Sequence, residues 1–131
     1  MSIPITPVPA PRMTQRDRWT DVAKGKGRPI VLSYFKYRDE LRQWLPGYRL
    51  PDRLDITFLI PMPKSWSKKK RAEFVGAPHQ LTPDTDNLVK AFKDTFTRDE
   101  HGNRLTDCHV YSETVEKYWA EQGSIELRVA P

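Results

Sequence analysis

The sequence predicts a single small α/β domain spanning residues 1–131, with a mixed β-sheet packed against two main helices. Three observations lead there. Apolar residues recur at helical spacing in two stretches, 33–45 and 84–97. Residues with strand-like alternation occupy two others, 54–60 and 124–129. The chain has 131 residues, which suits one core of moderate size.

The elements follow in order. Prolines at 4, 7, 9 and 11 exclude a central strand near the start, leaving room for a short edge strand within 3–8. The rest, to about residue 29, reads as a basic loop. Tyr34, Tyr37, Leu41, Trp44 and Leu45 form one stripe of the first helix, which Ser33 caps and Pro46-Gly47 stops. Leu54, Ile56, Phe58 and Ile60 alternate with Asp55, Thr57 and Leu59 to give a half-buried strand ended by Pro61. Ser67 caps a short helix that stops at Gly76. In the second main helix Leu88, Val89, Phe92 and Phe96 share one side, and a polar turn around 100–104 follows. Residues 110–119 and 124–129 read as two antiparallel strands joined by a turn at 120–123.

Charge narrows the function. The formal net charge is +5, with 22 basic and 17 acidic residues. Bases dominate up to Arg71 and acids dominate after it, so a polyanion partner is expected together with a local need for carboxylates. A solvated charged surface would show the same totals. The single cysteine, Cys108, excludes an internal disulfide and fits a reducing cytosol. No apolar run approaches the ~20 residues of a membrane span. The start, MSIPITPVPAPR, lacks the basic-then-apolar pattern of a secretory signal, so a cytoplasmic protein is expected.

The stretch LTPDTDNLVK sets Asp84 and Asp86 one residue apart after a proline, with Lys90 one helical turn beyond Asp86. Ordinary structural roles are open to them: an aspartate N-cap, acids suited to the helix dipole, and an Asp86–Lys90 pair worth about 0.3–0.5 kcal/mol. A third acid, Asp107 in LTDCHV, stands at the entrance of the following strand, where a short connection would bring it back to the helix start. Three neighbouring carboxylates repel one another unless a cation accompanies them. Hard oxygen ligands suit Mg2+, with Mn2+ as a substitute. Zinc is disfavoured, because Cys108, His79, His101 and His109 lack its usual spacing. A metal so held activates water and neutralises phosphate charge, with Lys90 placed to assist.

The run PDTDNLVKAFKDTF, with Asp107 beyond it, resembles the RusA family of Holliday-junction resolvases, in particular its phage and prophage members. The likeness extends through PKSWSKKKRAEFVGAPHQLTPD and the YRDEL of the first helix. It implies a RusA-like fold and a Mg2+-dependent endonuclease acting in DNA recombination and repair. It also implies a homodimer that resolves four-way junctions by paired symmetric nicks. Carried onto matching positions, Asp84, Asp86 and Asp107 would bind the metal and Lys90 would assist phosphodiester cleavage. The family often has two adjacent acids where Thr106-Asp107 stands here, and HGNR lengthens the connection before it.

Lys64, Lys68, Lys69, Lys70 and Arg71 crowd around Trp66, a composition suited to phosphate neutralisation and stacking on an unpaired base. The alternative is a solvated charge run with the tryptophan docked on the core. Arg12 and Arg16 are further candidate DNA contacts in the N-terminal segment. Two other functions remain open to the same residues: a branched-DNA-binding module that does not cut, and a metal-dependent nuclease with little structural selectivity.

Overall fold

The computed structural model describes residues 1–21, 24–98, 101 and 103–129. Its elements are β1 (Ser2–Ile3), α1 (Gln15–Trp19), α2 (Pro29–Trp44), β2 (Arg53–Pro61), α3 (Lys68–Phe74), α4 (Thr85–Thr95), β3 (Ser112–Ala120) and β4 (Ser124–Arg128). The mixed sheet and its helices give the expected α/β class. No helix among the described residues is long and apolar enough to cross a membrane.

The sheet order is β1-β4-β2-β3. β2 pairs in parallel with β3, Arg53 opposite Ser112 through Pro61 opposite Ala120, and antiparallel with β4. This corrects the expected hairpin: β3 and β4 run in opposite directions but do not pair, because β2 lies between them. Alternating residues fit either arrangement, and the longer apolar run of β2 gives the most buried strand, so β2 takes the centre. The return from β3 to β4 is tight. A Cβ at Gly123 would stand 2.7 Å from the Thr6 Cα, so the N-terminal segment passes there only because the side chain is absent.

One face of the sheet carries Leu54, Ile56, Phe58, Ile125 and Leu127, and it buries them against α2 and α4. Leu88, Ala91 and Phe92 of α4 and Leu41 of α2 are fully buried, which follows from their shared helical stripe. Tyr48 packs edge to face on Phe92 and Phe96, which lie tilted against each other near the end of α4. The other face is polar: Arg128 reaches Asp55 at 3.2 Å and the Thr57 hydroxyl at 2.9 Å.

Two helical expectations change. α2 starts at Pro29 rather than Ser33, because proline at the first helical position loses only an N–H that has no intrahelical partner, and Val31 continues the buried stripe. Trp44 is 54% exposed and lies outside the core, since the stripe runs from Leu41 to Leu45. α3 begins after the Ser67 cap, as its sequence predicts, and the chain turns at Gly76 with φ +81°. The polar turn expected at 100–104 lies partly outside the described residues.

The segment before residue 29 is more ordered than its composition suggests. Thr14 and Asp17 form a capping box at the start of α1. The Asp17 carboxylate accepts two hydrogen bonds from Arg28, Nε to Oδ1 at 3.0 Å and Nη2 to Oδ2 at 2.5 Å. Arg28 also donates to the Arg12 carbonyl, so it ties the segment to the start of α2. The Arg28 guanidinium, helped by the Thr14 backbone N–H, holds the Asp17 carboxyl well below the usual carboxylate range. A carboxyl with a lowered folded-state pKa stabilises the fold at all pH values above its unfolded pKa, and that stabilisation fades as pH falls further. Thermal melts of wild type and Asp17→Asn should therefore differ most at pH above about 4 and draw together progressively as pH falls below that.

Candidate active site

Residues 76–79 run along the outer edge of β3. Gly76 and His79 N–H donate to the carbonyls of Trp119 and Lys117, and Trp119 N–H donates to Ala77. The chain then turns through 80–84 into α4. Lys117, on the helix-covered face of β3, donates its ammonium to the carbonyls of Leu81 (2.6 Å) and Pro83 (2.7 Å). It fixes the loop from which Asp84 projects. Sequence reasoning missed this residue; the only signal was a lysine at an inward position of an alternating strand. His79 is buried beside it against Trp119, and burial, with the Lys117 charge, pushes its imidazole toward the neutral form.

Asp84 occupies the N-cap position with extended backbone, yet its carboxylate makes no capping hydrogen bond. Asp86 lies in the first turn and Lys90 one turn on, all three exposed. Neither Asp86 nor Lys90 has an ion-pair or side-chain hydrogen-bond partner among the described residues. The ordinary roles of a capping side chain and an i, i+4 pair are therefore not what these side chains perform. Nearby acids are matched instead: Lys93 binds Glu113 at 2.5 Å, and Arg71 binds Glu121 at 2.8 Å.

Asp107 lines a cavity of about 610 Å³ with Asp94, Arg98 and Arg104, beside the C-terminal half of α4. Asp94 is eight residues past Asp86, about 12 Å along the axis. The connection is pulled there by Leu105 N–H donating to the Thr97 carbonyl and by the Arg98–Arg104 bridge. Among the described residues no three His, Cys, Asp or Glu side chains are gathered tightly enough to hold one metal ion. Two carboxylates with free oxygens nonetheless suit a hard divalent metal that completes its shell with water and substrate phosphate.

The lysine run is divided by the fold. Lys64, Lys68, Lys69 and Lys70 are exposed, the last three in α3. Arg71 is turned inward, donating to the Pro63 carbonyl as well as to Glu121. Trp66 packs on Phe74 and Trp119 at ring-centroid distances of 5.3 and 4.8 Å, and the Lys70 ammonium sits 4.2 Å from its ring centroid. A base stacking on Trp66 would have to displace Lys70. Arg12 and Arg16 are exposed in the N-terminal segment.

The family model for endodeoxyribonuclease RusA matches residues 4–130, nearly the whole of this arrangement. The chain belongs to the RusA endodeoxyribonuclease family. No curated protein and no solved structure gives a match. RusA proteins are endodeoxyribonucleases that resolve Holliday junctions in DNA recombination and generally depend on a divalent metal. Membership makes this chain a DNA hydrolase acting on branched DNA.

Lys117→Met should lower stability by about 1–3 kcal/mol through the two lost charge-assisted hydrogen bonds. It should also accelerate amide exchange in the loop before Asp84, with partial recovery in Lys117→Arg. Hydrogen exchange and denaturant melts read both effects.

Proposed function

We propose that this RusA-family chain is a Mg2+-dependent, structure-selective endonuclease that nicks four-way DNA junctions in symmetric pairs, working as a homodimer. The observation that carries the reading is the pair Asp84 and Asp86, side by side at the start of α4 with neither carboxylate used for capping or ion pairing. Asp84 and Asp86 are the protein ligands we assign to the metal, and Mn2+ is the natural substitute. When bound, such an ion supplies an activated water and neutralises charge on the phosphate.

The chain's own groups supply the rest. Lys90, exposed one turn beyond Asp86, presents an ammonium to the scissile phosphate and stabilises its growing negative charge. Asp107, which lines the cavity beside Asp94, is assigned as the third acid by its family position. Lys64 and the exposed lysines of α3 hold flanking phosphates, while Arg71 keeps α3 in place. A two-fold dimer, the commonest closed assembly, sets two such sites against two strands of like polarity.

Incubation with a labelled four-way junction should give paired nicks with Mg2+ and none with EDTA. Asp86→Asn should lower cleavage at least ~10³-fold while binding the junction as well as or better than wild type, because a negative charge facing phosphate is removed. Junction binding by both proteins, with neither Mg2+ nor Mn2+ producing nicks, would overturn the catalytic assignment. Replacing Lys68, Lys69 and Lys70 together should weaken binding and reduce the slope of log K against log salt by about 3. An unchanged slope would remove α3 from the DNA contact.

A further inference from the structure

The N-terminal segment runs against the start of α4. Val8 and Ala10 pack on the core, and the Ala10 N–H donates to the Asn87 carbonyl at 3.1 Å. Asn87 directly follows Asp86 and stands about 100° round the helix from it and about 60° from Lys90. Lys93, tied to Glu113 of β3, lies about 60° to the other side of Lys90. The exposed stripe of Asp86 and Lys90 therefore has β3 along one flank and the N-terminal segment along the other.

Arg12 is two residues past Ala10, so its Cα lies within about 7 Å of the Ala10 Cα. Its side chain is exposed and has no hydrogen bond or ion pair among the described residues. Its backbone, by contrast, is held. Arg28, at the N-cap of α2, donates to the Arg12 carbonyl at 3.0 Å. The same guanidinium grips Asp17, whose carboxylate also accepts from the Thr14 N–H and hydroxyl, each at 2.9 Å. Asp17 is the one buried residue of α1, so no apolar side chain of that helix is buried in the core. A polar clamp, not packing, orders this stretch, and what it leaves outside is a free guanidinium near two uncapped carboxylates.

We propose that Arg12 binds a phosphate of the DNA strand lying over the acid pair, from the flank opposite β3, and that Asp17 and Arg28 are positioning residues that set it there. The inference deepens the nuclease reading and rests on it. A guanidinium presents a planar fork of donors to two phosphate oxygens, which suits the group. Without a metal, Asp84 and Asp86 repel that phosphate, so a cation bordering them offsets the repulsion as the strand approaches. Lys90 stands within the helical stripe and Arg12 on its border, so the two cations reach the strand from different directions. Fixing the Arg12 backbone in advance removes part of the ordering cost of binding.

Binding of a labelled four-way junction is measured in EDTA across a salt series, with thermal melts confirming that each variant is folded at the assay temperature. Arg12→Ala keeps the carbonyl that Arg28 holds, so the clamp survives in it. It should bind about tenfold more weakly and lower the slope of log K against log salt by about 1, whereas Arg12→Lys keeps the slope. Asp17→Asn removes a negative charge and by charge alone would bind DNA more tightly; as a positioning residue its loss should weaken binding instead. Asp17→Asn/Arg12→Ala should then bind no more weakly than Arg12→Ala. In Mg2+, with protein saturating the junction, Arg12→Ala should also cut about tenfold or more slowly than wild type. Wild-type affinity and slope in Arg12→Ala overturn the proposal, as does a wild-type rate at saturation, which would place Arg12 away from the acid pair. Asp17→Asn that binds as tightly as wild type, or more so, overturns the positioning role. A wild type that never nicks loses the nuclease reading, while the salt series still decides whether Arg12 holds a phosphate; a wild type that nicks with no effect of Arg12 loses only this inference.

Discussion

Parallel pairing between β2 and β3 is the constraint on which the rest depends. Two parallel strands cannot be joined by a tight turn, so the chain must cross from the end of one to the start of the other. That crossover contains α3, the edge segment 76–79, the loop into Asp84 and α4. The lysines of α3 and both acids of the proposed site thus sit on a single excursion from the sheet. β3 receives the excursion on its outer edge and on its helix-covered face, through the backbone bonds to 76–79 and the Lys117 ammonium. The packing of Leu88, Ala91 and Phe92 into the core then fixes the direction in which Asp86 and Lys90 face.

Against this frame the distribution of charge pairs becomes informative. Asp17 is held by Arg28, Asp55 by Arg128, Glu113 by Lys93 and Glu121 by Arg71. Each of these pairs joins parts of the chain that are distant in sequence or steadies a helix. Asp84 and Asp86 stand apart from the pattern, at a helix start whose dipole already favours negative charge. Local stability is thus served without consuming the carboxylate oxygens, which leaves them available to a cation.

Much of this was legible in the sequence because the signals are local. The stripe Leu88, Val89, Phe92, Phe96, the alternation in β2 and the Ser67 cap each specify their own element. Strand order was not legible: residues 112–120 and 124–128 alternate as a hairpin would, and only the deeper burial of β2 decides that it separates them. Asp84, Asp86 and Lys90 were legible as one local pattern, whereas the setting of Asp107 was not. Where Asp107 lies depends on Leu105 and Arg104 pairing back onto Thr97 and Arg98, through backbone bonds that carry no side-chain pattern. Lys117 and Arg28 were hidden for a related reason, since each joins residues that only the tertiary fold brings together.

The clamp on the Asp84 loop has a consequence for the order of events during synthesis. Lys117 is added 34 positions after Pro83, and both hydrogen-bonding partners of β2 follow α4 in the chain. A ribosome-bound polypeptide that has displayed Asp84 and Asp86 therefore still has an unpaired central strand and an untethered loop. The acid pair acquires its fixed setting only when β3 and β4 arrive, so the proposed DNA-cutting centre takes shape after the two strands that follow it have joined the sheet rather than as the pair itself emerges.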